Sequence, residues 1–237
     1  MRIIFLNCYS GQIQDPLLDF VVKHSSSTDI FCFSEVSEDL QQSFLEILSD
    51  YSFKFEIGGL ITDCNKPCGQ STFFKKDIDE ISSNKILIHE IKTNDVGFLL
   101  KTELKIGNKL ISVGNVHGTS VPSDKMDSDI RLNQSNIVID SFKKNINKII
   151  IGDFNLSNET KSVSLFEDAG YTNLIKEFDI KSTRNEVSWN RFKNGPGFVK
   201  QYFADYVFVS SGIKVKNFEV PYNEVSDHLP LILDFGI

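Results

Sequence analysis

Five stretches of the sequence set chemically competent side chains directly beside short apolar runs. Phe5-Leu6 ends in Asn7, Phe31-Cys32-Phe33 in Ser34-Glu35, Val113-Gly114-Asn115-Val116 in His117, and Ile149-Ile150-Ile151 in Gly152-Asp153-Phe154-Asn155. The fifth is Ser226-Asp227-His228-Leu229-Pro230, just ahead of the apolar run 231–235. A carboxylate next to a core strand is costly unless it is paired or bound to a cation. Any single one of these residues reads better as a turn or cap residue. Their recurrence at five strand ends points instead to convergence on one cation. Asp153 and Asn155 are two apart, so an extended chain projects both to one face while Phe154 points into the core. Gly152 allows a tight bend or a close backbone approach. His228 follows Asp227 and has Asp205 in a preceding strand-like segment, a combination suited to an oriented acid/base pair.

The elements that must position these groups are short, apolar and β-branched. Runs at 3–6, 30–33, 72–74, 86–88, 98–100, 110–116, 149–151, 206–209 and 231–235 read as buried strands. A helix is expected from Asp15-Pro16, with Asp as cap and Pro in the first turn, and a second over 37–48. A third begins near Ser123 and ends at the basic Lys143-Lys144, and a fourth spans about 162–169 and stops at Gly170. No linker or internal repeat divides the chain. The pattern is that of one layered α/β unit over residues 1–237, two packed sheets with helices outside.

Composition narrows the function classes. Of 237 residues, 41% are hydrophobic and 24% charged, so neither disorder nor a membrane protein is indicated. No apolar run reaches membrane-spanning length and no leader pattern precedes the first run, so a cytoplasmic location is expected. Cys8, Cys32, Cys64 and Cys68 read as reduced thiols. Cys64 and Cys68 have no second Cys/His pair nearby, so structural zinc is not expected. A formal charge of −7 opposes a broad basic face for duplex nucleic acid, but a cleft needs only a local positive field.

In this order the motifs resemble the endonuclease/exonuclease/phosphatase superfamily: Asn7 ending the first strand, Asp29-Ile30 through Glu35, Asn115-Val116-His117, Gly152-Asp153-Phe154-Asn155, Asp205-Tyr206-Val207-Phe208-Val209 and Ser226-Asp227-His228-Leu229-Pro230. The resemblance covers nearly the whole chain. It implies a four-layer α/β sandwich of two mixed β-sheets face to face, and a single catalytic domain that hydrolyses phosphoesters. It further implies Mg²⁺ or Mn²⁺ bound by Glu35, with Asn7 beside it and Asp227 close by, since hard oxygen ligands suit these ions. His228, oriented by Asp205, would activate water. Asp153 would align that water or protonate the leaving oxygen, and Asn155 and His117 would hold non-bridging oxygens. Ser34 stands where many members have Gln, Ala204 precedes Asp205 where many have a basic residue nearby, and the acidic partner of His117 is not identifiable between 57 and 95.

Residues 181–202 oppose the global charge. Lys181, Arg184, Arg191, Lys193 and Lys200 face one acid, Glu186, and are interleaved with Trp189, Phe192, Phe198 and Tyr202 around a turn at Asn194-Gly195-Pro196-Gly197. That mixture grips phosphate and stacks bases, or it covers a sheet with packed aromatics and solvated bases. Arg184, Trp189 and Arg191 are the candidate substrate contacts, and Gly118-Thr119-Ser120-Val121-Pro122 is a second candidate loop. A nuclease or nucleotide phosphodiesterase is the leading expectation, acting as a monomer without membrane insertion. A phosphatase or phospholipase-type enzyme is the alternative, and a binding protein on an inactivated scaffold the third reading.

Overall fold

The computed structural model describes residues 1–61, 65–195 and 197–237. In chain order its elements are β1 (Arg2–Asn7), α1 (Gln14–Ser25), β2 (Ile30–Ser37), α2 (Glu38–Ile47), β3 (Tyr51–Ile61), β4 (Lys66–Lys75), β5 (Asp79–Ile86), β6 (Leu99–Ile106) and β7 (Lys109–His117). There follow α3 (Asp129–Ser141), β8 (Lys148–Asp153), α4 (Lys161–Asp168), β9 (Thr172–Asn173), α5 (Leu174–Glu177), α6 (Glu186–Phe192), β10 (Asp205–Val209), β11 (Lys214–Glu219) and β12 (Leu231–Gly236). One six-stranded sheet runs β11-β12-β1-β2-β4-β3 and the other β5-β6-β7-β8-β10-β9. Each sheet contains one parallel pair, β1–β2 and β7–β8, and is otherwise antiparallel. Parallel neighbours need a crossover. It is α1 in the first sheet and α3 in the second.

The central strands are apolar on both faces, which is why they read as continuous hydrophobic runs. In β1, Ile3 and Phe5 join the core between the sheets with Ile149, Ile151 and Val207, whereas Ile4 and Leu6 pack outward with Leu17, Val21 and Phe44 of α1 and α2. On the other outer face, Phe166 of α4 stacks on Phe208 at 4.2 Å. Gly114 leaves room for Phe142, whose ring would lie 2.7 Å from a Cβ there. The result is the four-layer α/β sandwich.

Three elements differ from their sequence-based expectation. The run at 86–88 is not a strand, since β5 ends where it begins. α3 starts at Asp129, capped by Ser128 Oγ accepting from Arg131 N, so residues 123–128 form a loop. α1 has Ile13 in the cap position without a side-chain bond, and Asp15 lies in the first turn instead, where a carboxylate meets the positive end of the helix dipole. Cys8 and Cys32 are buried free thiols, Cys68 is buried, and Cys64 lies outside the described residues.

Candidate active site

The strand order brings the polar strand ends to one mouth of the sandwich. His117 is the last residue of β7, opposite Asp153 at the end of β8, which in turn faces Asp205 at the start of β10. Three chemically competent residues thus stand in a row across adjacent strands. From the other sheet come Asn7, ending β1, and Glu35. Glu35 sits in a bulge between Ser34 and Val36 and has φ +52, so its side chain is turned out of the ladder and toward the mouth. Gly152 lies beside Val116, whose carbonyl oxygen would be 2.1 Å from a Cβ, so no other residue fits without moving the strand pair. Phe154 packs edge-on against Phe166, Tyr206 and Phe208, pointing inward between the two polar neighbours as its spacing implied.

Asn7 spans the seam between the sheets. Its Nδ2 donates to Glu35 Oε1 at 3.1 Å and to Asp153 Oδ2 at 3.0 Å. His228 Nδ1 lies 2.9 Å from each oxygen of fully buried Asp205, which leaves Nε2 facing the cavity, 3.6 Å from Asp153 Oδ2 and 3.9 Å from Asp227 Oδ1. His117 Nε2 is 3.8 Å from Glu35 and 3.9 Å from Asp153. Burial works to raise the Asp153 pKa but is outweighed by His228, Lys125, His117 and Arg184, which hold it down at about 2. Burial and Arg184 depress His228, but Asp205, Asp153 and Asp227 outweigh them and lift it above the ordinary histidine value. Asp205 is raised by burial and by Asp153 against the pull of His228. All the strand-end candidates, Asn7, Glu35, His117, Asp153, Asn155, Asp205, Asp227 and His228, therefore meet in one region.

Asn115 does not. It is fully buried and its Nδ2 donates to Phe33 O and Ser71 O of the opposite sheet, while Gln70 Nε2 donates to Asn115 O. Gln70 is the cross-strand partner of Ser34, so a buried amide reaches this layer from β4 although β2 carries a serine there.

The cavity over the strand mouth has a volume of about 570 Å³. Eight non-glycine residues have positive φ among the described residues, and six of them line it: Tyr9, Ser10, Glu35, Asn94, Lys125 and Asn155. Such backbone strain concentrates where side chains must be aimed. Described residues between Arg184 and Gln201 form the roof, with α6 among them. Arg191 lies over the rings of Tyr9 and Phe192 at 5.0 and 4.9 Å, Lys200 over Trp189 at 4.1 Å, and Trp189 Nε1 donates to Gln201 O. Lys181 and Lys193 instead bond Asp179 and Asn190 at the surface. Of the expected turn, Gly195 and Gly197 are described, whereas Pro196 lies outside the described residues.

Arg184 is deeper than a surface loop would put it. It is 7% exposed, with Nε on Ser188 Oγ, Nη1 donating to His228 Nε2 at 3.0 Å and Nη2 on Asp227 Oδ2 at 3.3 Å. The second candidate loop is largely committed. Asp95 accepts from Ser120 N and Thr119 Oγ1, and Gln134 accepts from Thr119 N. Sequence reasoning missed Asp95 and Lys125, the latter because it sits inside an apolar spacing that reads as helix.

Two places offer cation ligands. Asp153, Asp205 and His228 have donor atoms within 4.8 Å of one another. Yet Asp205 spends both oxygens on His228, and Nε2 faces the Arg184 guanidinium. Glu35 has neutral hydrogen-bond donors instead, Asn7 Nδ2 and Ser10 Oγ at 3.4 Å. The thiol of Cys8 is pushed well up, first by burial and then by Glu35, and so stays protonated. The Glu35 carboxylate is a hard oxygen ligand that suits a hard divalent ion, while Asn7 presents Nδ2 to it and its Oδ1 accepts from Tyr9 N at 3.0 Å.

A family model described as Endonuclease/Exonuclease/phosphatase family matches residues 4–228. The chain belongs to the endonuclease/exonuclease/phosphatase family. Members of the family hydrolyse phosphoester bonds with the help of a metal ion. No curated protein matches the chain. Among solved structures, it resembles an endonuclease/exonuclease/phosphatase from Bacteroides vulgatus (TM-score 0.78, 17% identity, 100% of this chain and 98% of that one). It also resembles the Bacteroides thetaiotaomicron mannosyl-6-phosphatase (0.73, 17%, 100% of both) and D. rerio TDP2 complexed with a single-strand DNA product (0.77, 14%, 100% and 99%). At these identities the likeness establishes the shared fold. No helix among the described residues is long and apolar enough to cross a membrane.

Proposed function

We propose that this family member is a Mg²⁺- or Mn²⁺-dependent phosphodiesterase acting on a nucleic-acid strand or nucleotide. The observation that carries the reading is His228, whose Nδ1 is held by both oxygens of Asp205 while Nε2 opens onto the cavity shared with Glu35, Asn7 and Asp153. Arg184 donates to Nε2, so that nitrogen is an acceptor, and an attacking water would take the place of the guanidinium there to give up its proton. Asp153 is ionised at neutral pH, which favours aligning the water over protonating the leaving oxygen. Glu35, Asn7 and Asp227 are the proposed metal ligands. A divalent ion held there supplies compensation for charge on the phosphoryl oxygens. His117 and Asn155 are the proposed contacts to non-bridging oxygens.

The substrate class follows from the roof. Tyr9, Trp189 and Phe192, with Arg191 and Lys200 stacked on them, suit bases and phosphates of a single strand. A net charge of −7 argues against a broad basic face for duplex. The likeness to TDP2 bound to single-strand DNA supports the same choice, and the mannosyl-6-phosphatase supplies the rival. The test is Mg²⁺-dependent product release from DNA and RNA oligonucleotides against sugar 6-phosphates, phosphoinositides and sphingomyelin. Faster release from the oligonucleotides is expected, and the reverse ranking overturns the substrate class.

A further inference from the structure

The loop between β7 and α3 carries a cation that none of these roles uses. Lys125 is 7% exposed, lines the cavity, and directs Nζ onto Asn155 Oδ1. An ammonium has three donors, and the amide oxygen of Asn155 is its hydrogen-bond acceptor among the described residues. Burying such a group is unfavourable without an anion beside it. The charges that act on Lys125 are mixed: Arg184 and Arg131 repel it, Asp153 and Asp205 attract it.

The loop is built to hold it there. Lys125 has φ +59, a conformation that the surroundings must enforce. Fully buried Arg131 donates to Pro122 O, Asp124 Oδ1 and Met126 O, bracketing the residue on both sides. Lys125 O accepts from Ser157 N at 2.8 Å, Gln201 Nε2 donates to Ser123 O, and Asp127 accepts from the amides of Lys161 and Ser162. Asn155, in turn, has Oδ1 on Lys125 and Nδ2 on Gly118 O. One Nδ2 hydrogen of Asn155 is thus spent and one remains for an incoming anion, while the ammonium that it holds has two. Burial, followed by Arg184, pulls the Lys125 pKa down to about 8, which leaves it charged at neutral pH.

We propose that Lys125 is a catalytic residue of this site, its ammonium, aimed by Asn155, donating to a non-bridging oxygen of the scissile phosphoryl group. The inference rests on the phosphoesterase reading, and its test separates the two. Wild type, Lys125→Met and Lys125→Arg are compared for binding of inorganic phosphate by calorimetry in EDTA, for Mg²⁺-dependent turnover of bis(4-nitrophenyl) phosphate, and for Tm. Methionine keeps the length without the charge, and arginine keeps the charge.

Lys125→Met should weaken phosphate binding about tenfold and lower kcat/KM by about a hundredfold, with Tm unchanged or higher because a buried charge is gone. Lys125→Arg should recover part of both. Phosphate binding in Lys125→Met equal to that in wild type, or none in wild type, overturns the proposal. So does a loss of Tm, or failure to fold, shared by both variants, which would mark a structural lysine. If wild type turns over no phosphoester, the functional reading falls, and the binding measurement still decides the role of Lys125.

Discussion

The floor and the roof of the cavity are made differently. On the floor, His117, Asp153 and Asp205 stand in ladder register across three strands, and Asn7 and Glu35 reach them from the opposite sheet. In the roof, Trp189 and Lys200 are positioned by contacts within one irregular segment and its short helix α6, Arg191 lies over both Phe192 and Tyr9, and Arg184 reaches down to Asp227 and His228. Sheet register fixes the floor, as reaction geometry requires. Loop contacts can be rearranged without disturbing the core, as substrate choice requires. Floor substitutions should therefore act on kcat or metal dependence, and roof substitutions on KM.

The largest effect expected is that of His228→Ala, which should lower kcat about a thousandfold with KM nearly unchanged in steady-state kinetics. Equal rates would remove the base from the floor. Next, Glu35→Gln should raise the Mg²⁺ concentration for half-maximal activity about tenfold or more, read from activity against Mg²⁺ concentration. An unchanged midpoint would exclude Glu35 as a ligand. Trp189→Ala should raise KM for a single-stranded oligonucleotide about tenfold while leaving KM for bis(4-nitrophenyl) phosphate alone. An equal rise for both substrates would dissolve the division between roof and floor.

The smallest effect is the pH dependence of phosphate binding, set by Lys125, which hangs between the two. Its ammonium is charged below about 8 and neutral above, so wild-type affinity for inorganic phosphate should fall as pH rises through that value. Lys125→Arg should lack this limb, because a guanidinium stays protonated. Calorimetry between pH 6.5 and 9.5 measures it.

The same contrast explains what could be read from residues alone. Strands β1, β2, β7, β8, β10 and β12 are buried on both faces and announced themselves as apolar runs. Those without a signal of their own, β3, β5, β9 and β11, are the four sheet edges, where exposed polar residues such as Asp79, Lys214 and Lys216 break the run. Floor residues were legible because each ends a legible strand. Lys125 was not, since Met126 and Ile130 mimic the spacing of a helix that begins only at Asp129. Nor was the depth of Arg184, because its partners Ser188, Asp227 and His228 lie up to 44 residues away.

The Asn7–Asp153 bond couples one sheet to the other at the reactive centre. Sliding or parting the two layers by little more than a bond length would misalign every reacting group while leaving each ladder intact. Turnover should then be lost at lower urea concentration than far-ultraviolet dichroism. The enzyme would act as a gauge of its own interlayer spacing, going silent before it unfolds.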